Sequence, residues 1–66
     1  MLKEERHTYI LESLAKKQKV LTLELHEELK VSEDTIRRDL KELAEKGQLK
    51  KVHGGAISHS LNPFDY

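Results

Sequence analysis

Ser32-Glu33-Asp34-Thr35-Ile36-Arg37-Arg38-Asp39-Leu40-Lys41-Glu42-Leu43-Ala44-Glu45-Lys46-Gly47 carries a start signal, a periodic body and a stop signal. Ser32 is a good N-cap, and Glu33 and Asp34 place negative charge at the positive end of a helix dipole. Ile36, Leu40, Leu43 and Ala44 fall on one stripe, and Gly47 is a ready left-handed terminator. The stretch predicts a helix over about 33 to 46. At ~100° per residue, Leu40 and Leu43 stay within ~40° of Ile36. Asp34, Arg38, Lys41 and Glu45 then sit on the opposite side, flanked by Thr35, Arg37 and Glu42. The outer face of the first two turns is therefore Thr35, Arg37, Arg38 and Lys41.

Working towards the N-terminus, Lys30 and Val31 break the pattern, and Leu25 and Leu29 mark a short helix over Leu23 to Leu29 for which Thr22 is a candidate cap. Val20 to Thr22 has room for no more than a one-bridge strand. Before it, Ile10, Leu11 and Leu14, with Ala15 beside them and His7 one turn earlier, predict a first helix between Leu2 and Lys17. The lysines that follow suit its C-terminal end. Beyond Gly47, Leu49 to Val52 and Ala56 to Ser58 are short extended segments around Gly54-Gly55, a dipeptide suited to the positive φ angles of a tight turn. The expected fold is mainly α, a three-helix unit with a small two-stranded β-hairpin over residues 1–59. Residues 60–66, aperiodic and containing Asn62-Pro63, are expected to begin a linker.

At 66 residues there is room for one thin-cored domain and little for a deep catalytic pocket. The carboxylates are spread over helix surfaces in ordinary pairs such as Glu42 with Lys46, so no enzyme is expected. Cysteine is absent, and no two histidines stand at i, i+3 or i+4, which leaves neither a thiolate site nor a metal or cofactor site in prospect. No apolar run approaches the ~20 residues of a membrane span. A cytoplasmic protein without a membrane partner is the expectation. Twelve basic and twelve acidic residues cancel, so attraction to a polyanion has to be local.

Such local features exist. A short helix, a brief break and a second helix opening at Ser32 have the lengths of a helix-turn-helix, whose second helix offers its N-terminal half to the major groove of DNA. Arginine suits that face because its planar fork bonds guanine O6 and N7 together or grips a phosphate. Ser32 and Thr35 are placed to bond phosphates at the helix start. From Lys46 to Leu61 the chain holds Lys46, Lys50, Lys51, His53 and His59 and no acid. Lying beside the helix, that hairpin sets Lys50, Lys51 and His53 against the sugar-phosphate rails and its Gly54-Gly55 tip towards the minor groove. The alternative is an edge hairpin blunted by lysines, on a winged helix used for protein contact or as a regulatory module appended to an enzyme; Asp34 and Glu45 on the outer face favour it. Asp39, on the edge of the apolar stripe between the arginine pair and Leu40, is expected to turn inward and accept bonds from a neighbouring backbone or base such as Lys50 or Arg6.

The run Ser32 to Leu40, then Gly47, then Val52-His53-Gly54-Gly55-Ala56, with Arg6, Ile10 and Leu14 ahead of it, closely resembles the N-terminal winged helix-turn-helix of DeoR-type bacterial transcription regulators over roughly residues 3 to 57. The resemblance implies a recognition helix with Ser32, Thr35, Arg37 and Arg38 on an operator in double-stranded DNA, and a wing role for His53, Gly54 and Gly55. It also implies a repressor of sugar metabolism with a further C-terminal domain that binds a sugar phosphate or related effector and makes the full-length protein a homo-oligomer; this stretch alone is expected to be a monomer. Three positions depart from the pattern. Lys30 stands where a glycine is common, His26 where a small residue is usual, and Leu21 where a capping Ser or Thr is frequent.

Overall fold

The computed structural model describes residues 1–59, so the expected linker at 60–66 lies outside the described residues. The elements in chain order are α1 (Lys3–Lys17), β1 (Lys19–Leu21), α2 (Thr22–Leu29), α3 (Glu33–Glu45), β2 (Lys50–Val52) and β3 (Gly55–Ile57). It is a mainly helical winged helix-turn-helix. Among the described residues no helix is long and apolar enough to cross a membrane.

The core is built from the positions that helical spacing selects. Ile10 and Leu14 of α1, Leu25 and Leu29 of α2, and Ile36, Leu40 and Leu43 of α3 meet Val20, Leu49 and Ala56 in one cluster, with Leu11, Val31 and Ala44 packed against it. Each such side chain removed from water contributes about 1.5–3 kcal/mol, the main return on ordering so short a chain. The helix ends are local chemistry. Ser32 Oγ accepts from Thr35 N at 3.2 Å, which caps α3, and Gly47 at φ 75° ends it. α1 has no glycine to stop it, and Gln18 takes the left-handed conformation at φ 67° instead. Lys30 does the same after α2, at φ 57° and ψ 45°, so a non-glycine occupies the left-handed corner of the helix-turn-helix.

Three local expectations are corrected. In place of a one-bridge strand at 20–22, Lys19–Leu21 pairs at all three positions as β1. Thr22 is not the cap of α2 but its buried first residue; the cap position is Leu21, whose side chain bonds nothing. Thr22 N donates instead to Gly54 O at 2.9 Å, so the hairpin tip satisfies an amide that a cap would otherwise hold. The turn is His53-Gly54, not Gly54-Gly55: Val52 pairs with Gly55, and of the two glycines only Gly54 has positive φ, at 82°. That positive φ falls on the second turn residue, the type II pattern.

Gly55 is needed for a different reason. A Cβ there would lie 2.0 Å from the Val20 carbonyl oxygen and 3.0 Å from Leu21 Cα. This close approach exists because the hairpin β2–β3 is joined by β1, which pairs antiparallel with β3 through Lys19↔Ile57, Val20↔Ala56 and Leu21↔Gly55, giving the order β1-β3-β2. The central strand thereby ties the hairpin to the start of the helix-turn-helix, while α3 packs on β2 and β3.

Candidate nucleic-acid interface

α3 buries Ile36, Leu40 and Leu43, half-buries Ala44 and leaves Arg37, Arg38 and Lys41 exposed. Taken from Ile36, Arg37 lies roughly 100° to one side and Arg38 roughly 160° to the other, so the adjacent arginines address different surroundings. Arg37 faces a groove of about 510 Å³ between α3 and the hairpin, lined also by Glu33, Leu23, Lys51, His53, Gly54 and Gly55. Arg38 and Thr35 face a smaller recess of about 250 Å³ between α1 and α3, together with Lys3, Arg6 and Glu42. Ser32, the cap of α3, and Lys41 on it are exposed and line neither hollow.

The two wing lysines separate. Successive strand residues point to opposite faces. Lys51 lies in register with Ala56 and, through it, with the core residue Val20, whereas Lys50 lies in register with Ile57 and Lys19. Of the pair, Lys51 reaches the groove beside Arg37 and Lys50 does not. Leu21 and Leu23, both exposed, add an apolar lip to the groove that the spacing argument missed.

The guanidinium groups also differ in their partners. Arg37 Nη1 donates to Asp34 Oδ1 at 2.9 Å and Nη2 to Glu33 Oε1 at 3.3 Å, both exposed pairs within the helix. The signal was in the sequence, since acids three and four residues before an arginine lie on its face. Arg38, Lys41, Lys51 and His53 have no side-chain hydrogen bond or ion pair among the described residues. The Ser32 and Thr35 hydroxyls bond each other at 3.0 Å.

Asp39 turns inward as expected and selects Arg6. Arg6 Nε and Nη2 donate to its two oxygens at 2.6 and 3.2 Å, and Lys50 takes no part in these bonds. His7 Nε2 adds a bond to Asp39 Oδ1 at 3.2 Å, so this nitrogen carries the proton, the carboxylate being acceptor only. The bond to Asp39 raises the Arg6 pKa above its ordinary range, opposed by burial and helped by the Asp39 and Glu42 charges. Asp39 is 1% exposed, and the triad fastens α3 to α1 at the recess that Arg38 also lines. Glu42 reaches Lys3 at 3.1 Å, a bridge between helices rather than the pairing with Lys46 that the spacing suggested.

Three helices, a wing and an outward basic face on α3 define the chain as a DNA-binding domain of the winged helix-turn-helix class. The DeoR-like helix-turn-helix domain matches residues 6–61, and the chain belongs to that family. It is 50% identical over 66 residues to the lactose phosphotransferase system repressor of Staphylococcus epidermidis, covering all of this chain and 26% of that protein. The repressor of the same name from Staphylococcus aureus matches equally, at 50% identity over 100% of this chain and 26% of the relative. An uncharacterized HTH-type transcriptional regulator of Bacillus subtilis, FruR, is 50% identical over 60 residues, 91% of this chain and 24% of its own. The chain thus spans about a quarter of the length of these relatives. No solved structure matches it significantly.

Proposed function

We propose that residues 1–59 bind an operator in double-stranded DNA, with α3 in the major groove and the hairpin on the adjoining backbone and minor groove. The observation that carries this is the shared groove: Arg37 of α3 and Lys51, His53 and Gly54 of the hairpin line one hollow, the arrangement needed to hold a groove wall and its phosphate rail together. Arg37 and Arg38 reach base edges or phosphates, Thr35 and Ser32 fix register, and Lys41, Lys51 and His53 hold the backbone. Gly54 lets the tip approach closely, while Gly55 is buried against β1 and Lys50 lies on the strand face away from the groove. Arg38→Ala weakens operator binding by about 1–3 kcal/mol, and Lys51→Ala weakens all duplexes alike. A fluorescence titration against a duplex selected from a random pool measures both, and unchanged affinity in both variants removes the assignment.

The lactose-system repressors among the relatives support a regulator of sugar metabolism. In this proposal the chain is the DNA-binding quarter of a longer homo-oligomeric repressor, joined through residues 60–66 to a domain that takes a sugar phosphate or related effector. The exposed acids Asp34 and Glu45 favour the other use of this fold, contact with a protein or an enzyme domain. That reading requires no binding to any duplex even at low salt.

A further inference from the structure

We propose that Glu33 and Asp34 are positioning residues that make Arg37 a reader of sequence rather than a source of general attraction to DNA. The inference rests on α3 being the helix that enters DNA.

Arg37 stands apart from the other cations of this face in being already partnered. Its two terminal nitrogens each give one hydrogen to a carboxylate, at 2.9 and 3.3 Å. A guanidinium has five N–H donors in a rigid plane, so about three remain for a further partner. Two negative charges beside one positive charge more than cancel it at the distance of a passing phosphate. Sequence-independent binding is driven by cations that neutralise phosphates and release their counterions, and Arg37 in this setting has little to add to it. Its remaining donors keep their direction and can meet the acceptor pair of a guanine edge, a neutral partner that does not require the carboxylates to leave.

The placement is consistent with this division. Glu33 and Arg37 line the groove with Lys51 and His53, whereas Arg38 lies on the other side of α3 without an ion-pair partner. General attraction falls to Arg38, Lys41 and Lys51, and discrimination to Arg37. The helix dipole favours acids in this first turn, but exposed ion pairs contribute little to stability, so folding does not account for their engagement with Arg37.

The test compares the protein with its Glu33→Gln/Asp34→Asn variant, using Glu45→Gln as a charge control on an exposed, unpartnered acid of the same helix. Each is titrated across a salt series with a random-sequence duplex and with a duplex selected from a random pool by the unmodified protein; circular dichroism verifies the fold. The double variant is expected to bind the random duplex about 5- to 10-fold more tightly, with a salt slope steeper by about 0.9, one further phosphate. Its preference for the selected duplex falls, Glu45→Gln leaves the slope unchanged, and in an Arg37→Gln background the acid replacements no longer steepen it. An unchanged slope in the double variant, an equal change in Glu45→Gln, or a retained preference overturns the inference and leaves DNA binding standing. Failure of the unmodified protein to bind either duplex at low salt overturns the DNA-binding reading itself, and this inference with it.

Discussion

Two adjacent glycines of the hairpin resist substitution for different reasons, and the size of the effect separates them. At Gly54 a Cβ meets open space, and the objection is the backbone angle of 82°, worth about 1–2 kcal/mol. At Gly55 the angle is ordinary, but the Cβ would sit 2.0 Å from a backbone carbonyl, which has no rotamer with which to move aside. Gly55→Ala therefore costs about 3 kcal/mol or more, since β1 must leave β3, and Gly54→Ala costs about 1–2. Urea denaturation of both variants checks the order, and equal midpoints contradict it. Tyr9 gives a second test at this scale. Its hydroxyl donates to Glu28 Oε1 at 3.0 Å. That bond, then desolvation, then the neighbouring charge raise its pKa above the ordinary 10.0. The folded state prefers the protonated phenol, so this contribution is present below pH 10 and is lost as pH rises through the raised pKa. Phenolate absorbance in the folded protein is expected to appear at higher pH than in Glu28→Gln. Of these residue-level features, the inward turn of Asp39 was legible, with Arg6 as one of its candidate partners, because a carboxylate next to two outward arginines is misplaced on a DNA face. His7 as the third member was not: its spacing marked it only as a residue one turn before Ile10 and Leu11 on the inward side of α1, and nothing in that spacing names a polar partner.

Among the elements, the helix-turn-helix corner tests how local rules combine. Lys30 holds a left-handed conformation that costs a non-glycine residue about 1–2 kcal/mol, and glycine returns ~0.5–1 of that through its larger unfolded-state entropy. Lys30→Gly is thus expected to stabilise the protein by about 0.5–1 kcal/mol, and Ser32→Ala, which removes the α3 cap two residues on, to destabilise it by about 1. Opposite shifts of the thermal midpoint check the pair, and a loss of stability in Lys30→Gly rules out strain at the corner. The helices were readable because each repeats its apolar residues often enough for a period of 3.6 to emerge, α3 most clearly with Ile36, Leu40 and Leu43. The sheet was only half readable. A three-residue β1 displays too little alternation to announce itself, and its partner β3 begins more than thirty residues later, so the pairing Val20↔Ala56 follows from tertiary packing alone. The same pairing explains the misassigned turn: Gly55 is conscripted by β1 and leaves the corner to His53-Gly54.

For the molecule as a whole, the balance of twelve cations against twelve anions conceals how few cations are available to a polyanion. Arg6, Lys3 and Arg37 are engaged with carboxylates, and Lys50 lies on the strand face away from the groove. The uncompensated charges on α3 and the groove-facing hairpin residue are Arg38, Lys41 and Lys51. Each phosphate neutralised contributes ~0.9 to the slope of log K against log salt, so a single domain on random duplex is expected to show a slope of about −3. Two domains on one duplex, with their recognition helices one turn or ~34 Å apart, double the slope to about −5.5 and gain affinity by ~10²- to 10⁴-fold if the linkage lets both engage. Fusing two copies of the chain through a flexible linker and titrating against paired and single half-sites measures both quantities. A single-domain slope near about −4.5, two phosphates more, means that Arg37 and Lys50 also grip phosphate, which contradicts the division of charge drawn from their partners and register. A slope near zero means that the basic face does not meet DNA. An intermediate slope with no gain on pairing keeps the interface but makes the domain a monomeric reader, for which weak half-site binding is the whole affinity.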